Sequence, residues 1–72
     1  MPLILADIGE QYLISRIGGN TEVRSHLHDL GFVVGCTVEV VAAMGGNLIL
    51  NVKGSRIAIS REMAQKIMVE MP

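Results

Sequence analysis

Residues 20–41, NTEVRSHLHDLGFVVGCTVEVV, join a short capped helix to a strand through two glycines, and this junction decides the fold. Asn20 can cap the helix with its side-chain oxygen, and Glu22 places negative charge at the positive end of the helix dipole. Gly31 can adopt the left-handed conformation that ends a helix. Phe32 follows at the position where a Schellman cap expects an apolar partner. The stretch therefore predicts a helix with a defined start and a defined end.

The residues after the second glycine of this stretch change to a period of two. Val38 and Val40 fall on one face, and Thr37 and Glu39 fall on the other, which is the alternation of a half-buried strand. The helix is therefore expected to lead directly into a strand over residues 36–42.

The chain before the helix predicts a first strand over residues 10–17, but its inward face is ambiguous. Tyr12 and Ile14 share one side with Arg16, whereas Leu13 and Ile17 share the other side. Either register leaves an apolar residue on the wrong face unless a bulge intervenes.

The chain after the helix is divided by glycine turns at residues 45–46 and 54–55, and Ser60 is a suitable N-cap for a last helix. These signals predict a return strand over residues 47–53, a third strand over 56–59, a helix over 61–67 and a closing strand over 68–71. About five short antiparallel strands that must bury one core tend to close on themselves. We therefore expect a mostly β fold with two short helices, in the form of a small barrel.

The composition limits the classes of function. We expect a single domain over residues 1–72, and a domain near this size buries only about 60% of its unfolded surface, which makes a homo-oligomer credible. The formal charge is −1 with no basic cluster, which disfavours a nucleic-acid partner. No apolar run reaches the roughly 20 residues of a membrane span, so no direct membrane insertion is expected. The start resembles no signal peptide, which predicts a cytoplasmic protein.

The side chains with metal-binding or catalytic chemistry are isolated from one another. His26 and His28 point about 200° apart on a helix, so they cannot close one metal site. Cys36, the only cysteine, is expected to be a small buried hydrophobe, and the methionines at 63, 68 and 71 are expected to pack in the core. No nucleophile elbow, phosphate loop or paired carboxylates occur. We therefore predict no enzyme activity, no cofactor and no metal site.

Two segments carry a family resemblance. LHDLGFVVGCTVEVV at residues 27–41 and AAMGGNLILNVKGSRIAISREMAQKI at residues 42–67 resemble, in order, the motifs of the ferrous iron transport protein A (FeoA) family. The resemblance covers about three quarters of the chain. It implies a small SH3-like β-barrel without catalytic residues, which acts in the cytoplasm as an accessory of the FeoB membrane Fe(II) transporter. The same barrel resembles the C-terminal domain of iron-dependent transcriptional repressors, so an interaction module of a regulatory system stays open as the alternative.

Two surfaces are candidates for partner binding. The first is a patch of apolar residues on outward faces of the predicted strands, because contiguous apolar patches often mark interaction surfaces. It comprises Val41, Ile49 and Ala58. The second is the predicted helix and its exit, which comprises Arg24, His28, Leu30, Gly31 and Phe32.

Overall fold

The computed structural model describes residues 1–72 and contains five strands and two helices. The strands are β1 (Gln11–Ile17), β2 (Thr37–Met44), β3 (Asn47–Val52), β4 (Ser55–Ser60) and β5 (Ile67–Glu70). The helices are α1 (Thr21–Asp29) and α2 (Arg61–Ala64), and a short 3₁₀ turn covers Leu3–Leu5. The strands form one antiparallel sheet in the order β4-β3-β2-β1-β5. The prediction of a mostly β fold with two short helices and five antiparallel strands is confirmed.

Helix α1 begins and ends as its sequence predicts. The Val23 N–H donates to the Asn20 side-chain oxygen at 2.9 Å, which caps the first turn. At the other end the Phe32 N–H donates to the Leu27 carbonyl and the Gly31 N–H to the His28 carbonyl, each at 2.9 Å, with Gly31 at φ 107°. These two bonds are those of a Schellman motif, and they direct Phe32 and Leu27 together into the core.

A bulge in β1 resolves the ambiguous register of the first strand. Ile14 pairs with Val69 of β5, and Arg16 pairs with the adjacent Met68. Two steps along β1 thus correspond to one step along β5, so Ser15 is the extra residue. Tyr12 and Ile14 face the core before the bulge, and Ile17 packs against it after the bulge. The extra residue shifts the alternation by one position, and all three apolar side chains thereby reach the same face.

Two tight hairpins connect β2, β3 and β4. The first turns at Gly45–Gly46, with φ values of 55° and 83°, as predicted. The second turns at Lys53–Gly54, with φ values of 51° and 79°, one residue earlier than the predicted turn at residues 54–55. Positive φ at both central residues is the type I′ geometry, which matches the twist of the flanking strands. Strand β4 therefore begins at Ser55.

The C-terminal helix is shorter than predicted. Ser60 accepts from the Met63 N–H at 3.3 Å and caps it as expected, but α2 ends at Ala64. Ile67, predicted on this helix, is a fully buried residue of β5 that pairs with Ile17. The pairing with β1 outweighs continuation of an isolated helix, which is marginal at this length.

Two methionine predictions are wrong. Met68 lies opposite Arg16 and is only half-buried, outside the core, and Met71 follows the last strand with 66% of its surface exposed. Met63 packs against the core as predicted.

The core is one cluster of 14 buried residues, none of which is polar or charged. Strands β1 to β5 contribute their inward side chains, α1 contributes Leu27, and α2 contributes Ala64. Leu3 of the N-terminal turn is also fully buried. Because both helices join this cluster, they pack on one face of the sheet, which we call the inner face. The opposite side is the outer face.

Candidate interaction surfaces

The outer face of β2, β3 and β4 carries a row of apolar side chains. Ile49 pairs directly with Ala58 on one side and with Ala42 on the other. The β2 register shifts between Val40 and Ala42, so Val41 is the extra residue of a second bulge. We call Val41, Ala42, Ile49 and Ala58 the apolar strip. The strip runs across all three strands, and Ala58 is exposed while the other three residues are half-buried.

The sequence prediction located most of the apolar strip. Its three residues, Val41, Ile49 and Ala58, all lie on the outer face, but it missed Ala42. The missing signal was the two-residue hairpin: if Met44 pairs with Asn47, then counting back two residues on each strand places Ala42 opposite Ile49.

A polar row lies beside the apolar strip. Register pairing aligns Gln11, Glu39, Asn51 and Arg56 across four strands. The Asn51 amide donates to Glu39 Oε1 at 3.3 Å, and Arg56 Nε donates to Asn51 Oδ1 at 3.5 Å. These bonds orient the side chains along one border of the apolar strip and leave the strip itself free of polar groups.

The second candidate surface is a shallow groove beside α1, with a volume of about 300 Å³. Its lining residues are Ile17, Arg24, His28, Phe32, Val33 and Val34. Arg24 Nη1 donates to the Gly19 carbonyl at 3.2 Å, which holds the guanidinium at this end of the helix. The Gly35 N–H donates to the Ile14 carbonyl at 2.8 Å, which fixes the loop that carries Val33 and Val34.

The structure separates the five residues predicted at the helix exit. Arg24 and exposed His28 lie at the groove. Phe32 lies beneath the groove with none of its surface exposed, so it shapes the groove but makes no direct side-chain contact with a partner. Leu30 is half-buried and packs against the core, and Gly31 is required by its left-handed backbone. The Schellman motif explains this outcome, since it turns the apolar residue after the glycine inward.

Val34 was not predicted at this surface, yet it is 58% exposed and lies on the rim of the groove. No periodic pattern covers this loop, so the sequence held no signal for it.

The side chains capable of binding a metal do not converge. No three His, Cys, Asp or Glu residues are grouped in the structure, and His26 and His28 are both exposed on α1. Cys36 is a free, half-buried thiol that packs against the core. Neither helix has the length and apolar character that a membrane crossing requires.

Comparisons with known proteins agree with this architecture. The FeoA domain family model matches residues 1–71. A protein of Methanocaldococcus jannaschii named as an Fe(2+) transport protein A is 36% identical over 69 residues, which cover 96% of this chain and 84% of that protein.

Solved structures match over nearly the whole chain. The crystal structure of an iron uptake regulatory protein (FeoA) is similar with a TM-score of 0.88 and 32% identity, covering 96% of this chain and 92% of the other. The manganese-activated repressor ScaR is similar with a TM-score of 0.89 and 26% identity, but the match covers 100% of this chain and only 35% of the repressor. The predicted SH3-like fold is thereby confirmed, and the chain belongs to the FeoA domain family.

Proposed function

We propose that this chain is a cytoplasmic accessory protein of ferrous iron uptake that docks on the cytosolic side of the FeoB transporter through the apolar strip. The observation that carries the proposal is the direct pairing of Ala42, Ile49 and Ala58 across three strands. The relative from Methanocaldococcus jannaschii, named for Fe(2+) transport, supports the assignment to this transport system. The role is one of binding, and it needs no reacting group on this chain.

The outer face has the features of a docking surface. Both helices pack on the inner face, so neither covers the apolar strip. The polar row of Glu39, Asn51 and Arg56 borders the strip and offers hydrogen-bonding groups to a partner. An apolar centre with a polar rim is the usual composition of a protein interface.

Ile49 is the expected anchor of the contact. It is the largest side chain at the middle of the strip, and it is half-buried between two smaller partners, Ala42 and Ala58. Burying apolar surface stabilises a complex by about 25 cal/mol for each Å² removed from water. An aspartate at this position would have to be desolvated in the complex, which opposes binding.

The test is co-purification of the tagged chain with full-length FeoB in detergent, with and without guanine nucleotide. Ile49→Asp tests the apolar strip, and Val34→Asp at the groove beside α1 is the matched control. Each variant adds one negative charge at an apolar position with exposed surface. We expect the parent and Val34→Asp to bind FeoB and Ile49→Asp to lose binding by at least about tenfold. Circular dichroism checks that each variant is folded.

A second strip variant, Ala42→Asp, keeps the test decisive if Ile49→Asp does not fold. Loss of binding in Val34→Asp alone would move the contact to the groove. Absence of binding by the parent in every nucleotide state would contradict the transporter role.

The second candidate function is an interaction module of a metal-dependent regulatory system. The whole-chain match to one third of a manganese-activated repressor favours it. In that case the chain binds a repressor core rather than a transporter. The test is a pull-down with a metal-activated repressor from which the region matching this chain has been deleted. Capture of the chain by this repressor, without capture by FeoB, would support the regulatory role.

A further inference from the structure

The two edge strands of the sheet, β5 and β4, differ in whether another segment of the chain covers their outer backbone groups. At the β5 edge, the Val69 N–H donates to the Met1 carbonyl at 2.7 Å, and the N-terminal amino group donates to the Val69 carbonyl at 2.8 Å. Pro2, which has no N–H, bridges to Met68 at the same edge. Covering strands and proline are standard protections against unwanted strand pairing. The β5 edge is therefore closed.

The β4 edge has no such cover. Its residues pair with β3 on one side only. Apart from the Ser60 carbonyl, which as the N-cap accepts the first hydrogen bond of α2, they make no other backbone hydrogen bond outside the sheet. After Ser60 the chain turns away from this edge, because the Arg61 N–H donates to the Gly46 carbonyl at the far hairpin. Six residues of extended backbone, Ser55–Ser60, thus present a side that no other strand pairs with.

The hairpin geometry identifies which backbone groups are free. In a two-residue hairpin the residues flanking the turn, here Val52 and Ser55, exchange both hydrogen bonds, and such pairs alternate along the ladder. Ser55, Ile57 and Ile59 therefore bond to β3. Arg56 and Ala58 direct both their backbone N–H and C=O groups to the free edge, and Ser60 directs its N–H there, while its C=O accepts the first hydrogen bond of α2.

We propose that this edge is a self-association site, at which β4 of a second copy pairs antiparallel with β4 so that Ala58 lies opposite Ala58. This register is the only antiparallel one in which all three free residues find partners. Arg56 then lies opposite Ser60 of the second copy, and Ile57 lies opposite Ile59. The two sheets become one continuous sheet about a two-fold axis.

The outer face supports this occupant and this register. Ala58 is the end of the row formed with Ile49 and Ala42. With Ala58 opposite its own copy, the rows of both copies join end to end into one apolar band across six strands. A shift of two residues in either direction would instead place a polar residue, Arg56 or Ser60, opposite Ala58.

The charges near the edge also favour a second copy. In this register the two Arg56 residues are offset by four positions, about 13 Å along the strands, which exceeds the Debye length of about 8 Å at physiological ionic strength. Each Arg56 lies instead opposite Ser60 of the second copy, and the acidic residue Glu62 of that copy follows two positions after Ser60. Arg61 of the same turn extends toward Gly46, away from the edge.

Disulfide trapping tests both the edge and the register. Ala58→Cys and Arg56→Cys are compared in a Cys36→Ala background, and both positions are exposed on the same strand. Opposed residues of a hydrogen-bonded pair have Cα atoms about 5.5 Å apart, which suits a disulfide, whereas the two Arg56 positions are too distant. We expect disulfide-linked dimer to form about tenfold faster with Ala58→Cys than with Arg56→Cys. Equal rates, or faster linking of Arg56→Cys, would overturn the proposal.

Ala58→Pro provides an independent measurement. The Ala58 N–H points away from β3, so proline at this position leaves the β3–β4 ladder intact but blocks pairing at the edge. In sedimentation equilibrium we expect the average mass of the parent to rise with concentration and that of Ala58→Pro to stay at one chain. A parent that remains one chain at all concentrations would contradict the proposal. No transporter is present in either experiment, so their outcome is separate from that of FeoB docking.

Discussion

The two faces of strand β3 differ in how deeply their side chains are buried and in how many residues they contact. On the inner face Leu48 and Leu50 are 7% and 0% exposed and belong to the core cluster, to which all five strands and both helices contribute. On the outer face Ile49 and Asn51 are half-buried, and their neighbours are single side chains on the adjacent strands. The inner face is fixed by packing against many residues at once. The residues of the outer face are not constrained by the core. They can therefore be suited to a binding partner without loss of the fold.

The largest expected effect compares the adjacent residues Leu50 and Ile49. Leu50→Ala should lower the free energy of unfolding by about 2–5 kcal/mol, because it leaves a cavity in a fully buried site. Ile49→Ala should cost about 1 kcal/mol, because part of this side chain is already in contact with water. For a chain of 72 residues the total free energy of unfolding is about 4–11 kcal/mol, so Leu50→Ala removes a large share of the stability. Urea unfolding followed by circular dichroism measures both.

Similar losses in the two variants would mean that the outer face is as closely packed as the core. That result would contradict the assignment of the apolar strip to binding.

The inner face of the sheet and the ends of the helices could be predicted from the sequence, because the patterns that indicate them are local. The alternation of Val38 and Val40 and the caps at Asn20 and Ser60 each depend on a few neighbouring residues, and each was predicted correctly. The Gly31 termination is equally local, since only the backbone conformation of one residue decides it.

The features that could not be located from the sequence depend on residues far apart in the chain. Ser15 and Val41 are bulge residues, and the position of a bulge is defined only by the register of the partner strand. Ile67 belongs to a strand rather than to α2 because Ile17, fifty residues earlier, pairs with it. Val34 reaches the groove through a loop that β1 holds in place. None of these determinants is contained in a local pattern.

The second prediction concerns the end of α1, which closes over the inner face. Gly31→Ala should lower the free energy of unfolding by about 1–2 kcal/mol, because an L-residue is disfavoured at its φ of 107°. Space is not the cause, since an added Cβ would lie 3.4 Å from Val52 Cγ1, at the lower end of ordinary contact. Thermal and urea unfolding measure the loss.

Gly18→Ala is the matched control for this glycine. Its φ is not in the left-handed region, and an added Cβ would also meet its nearest atom at 3.4 Å. It should leave the free energy of unfolding unchanged or raise it by up to about 1 kcal/mol, because replacing glycine at a compatible position mainly restricts the unfolded chain. A loss equal to that of Gly31→Ala would attribute both effects to crowding rather than to backbone conformation.

The third prediction concerns the start of α1. Asn20→Ala should cost about 1 kcal/mol, because it removes the acceptor of the Val23 N–H. Asn20→Asp keeps an acceptor at the same position and should retain the stability of the parent. Chemical unfolding of the two variants under the same conditions separates loss of the cap from a general effect of substitution. Equal destabilisation by both would show that the amide donor, rather than the oxygen acceptor, matters at this position.

The smallest expected effect lies in the polar row of the outer face. Asn51→Val removes the hydrogen bonds to Glu39 and Arg56, which span 3.3 and 3.5 Å at a partly solvated surface. Water can replace these partners, and valine suits a strand better than asparagine does, so the change in unfolding free energy should stay within about 0.5 kcal/mol. The variant would also add an apolar side chain beside Ile49 and widen the apolar strip. Its binding to the partner should therefore change more than its stability, and urea unfolding measured beside FeoB co-purification compares the two. A loss above about 1.5 kcal/mol would make the polar row part of what holds the sheet together, and the outer face would then resemble the inner one.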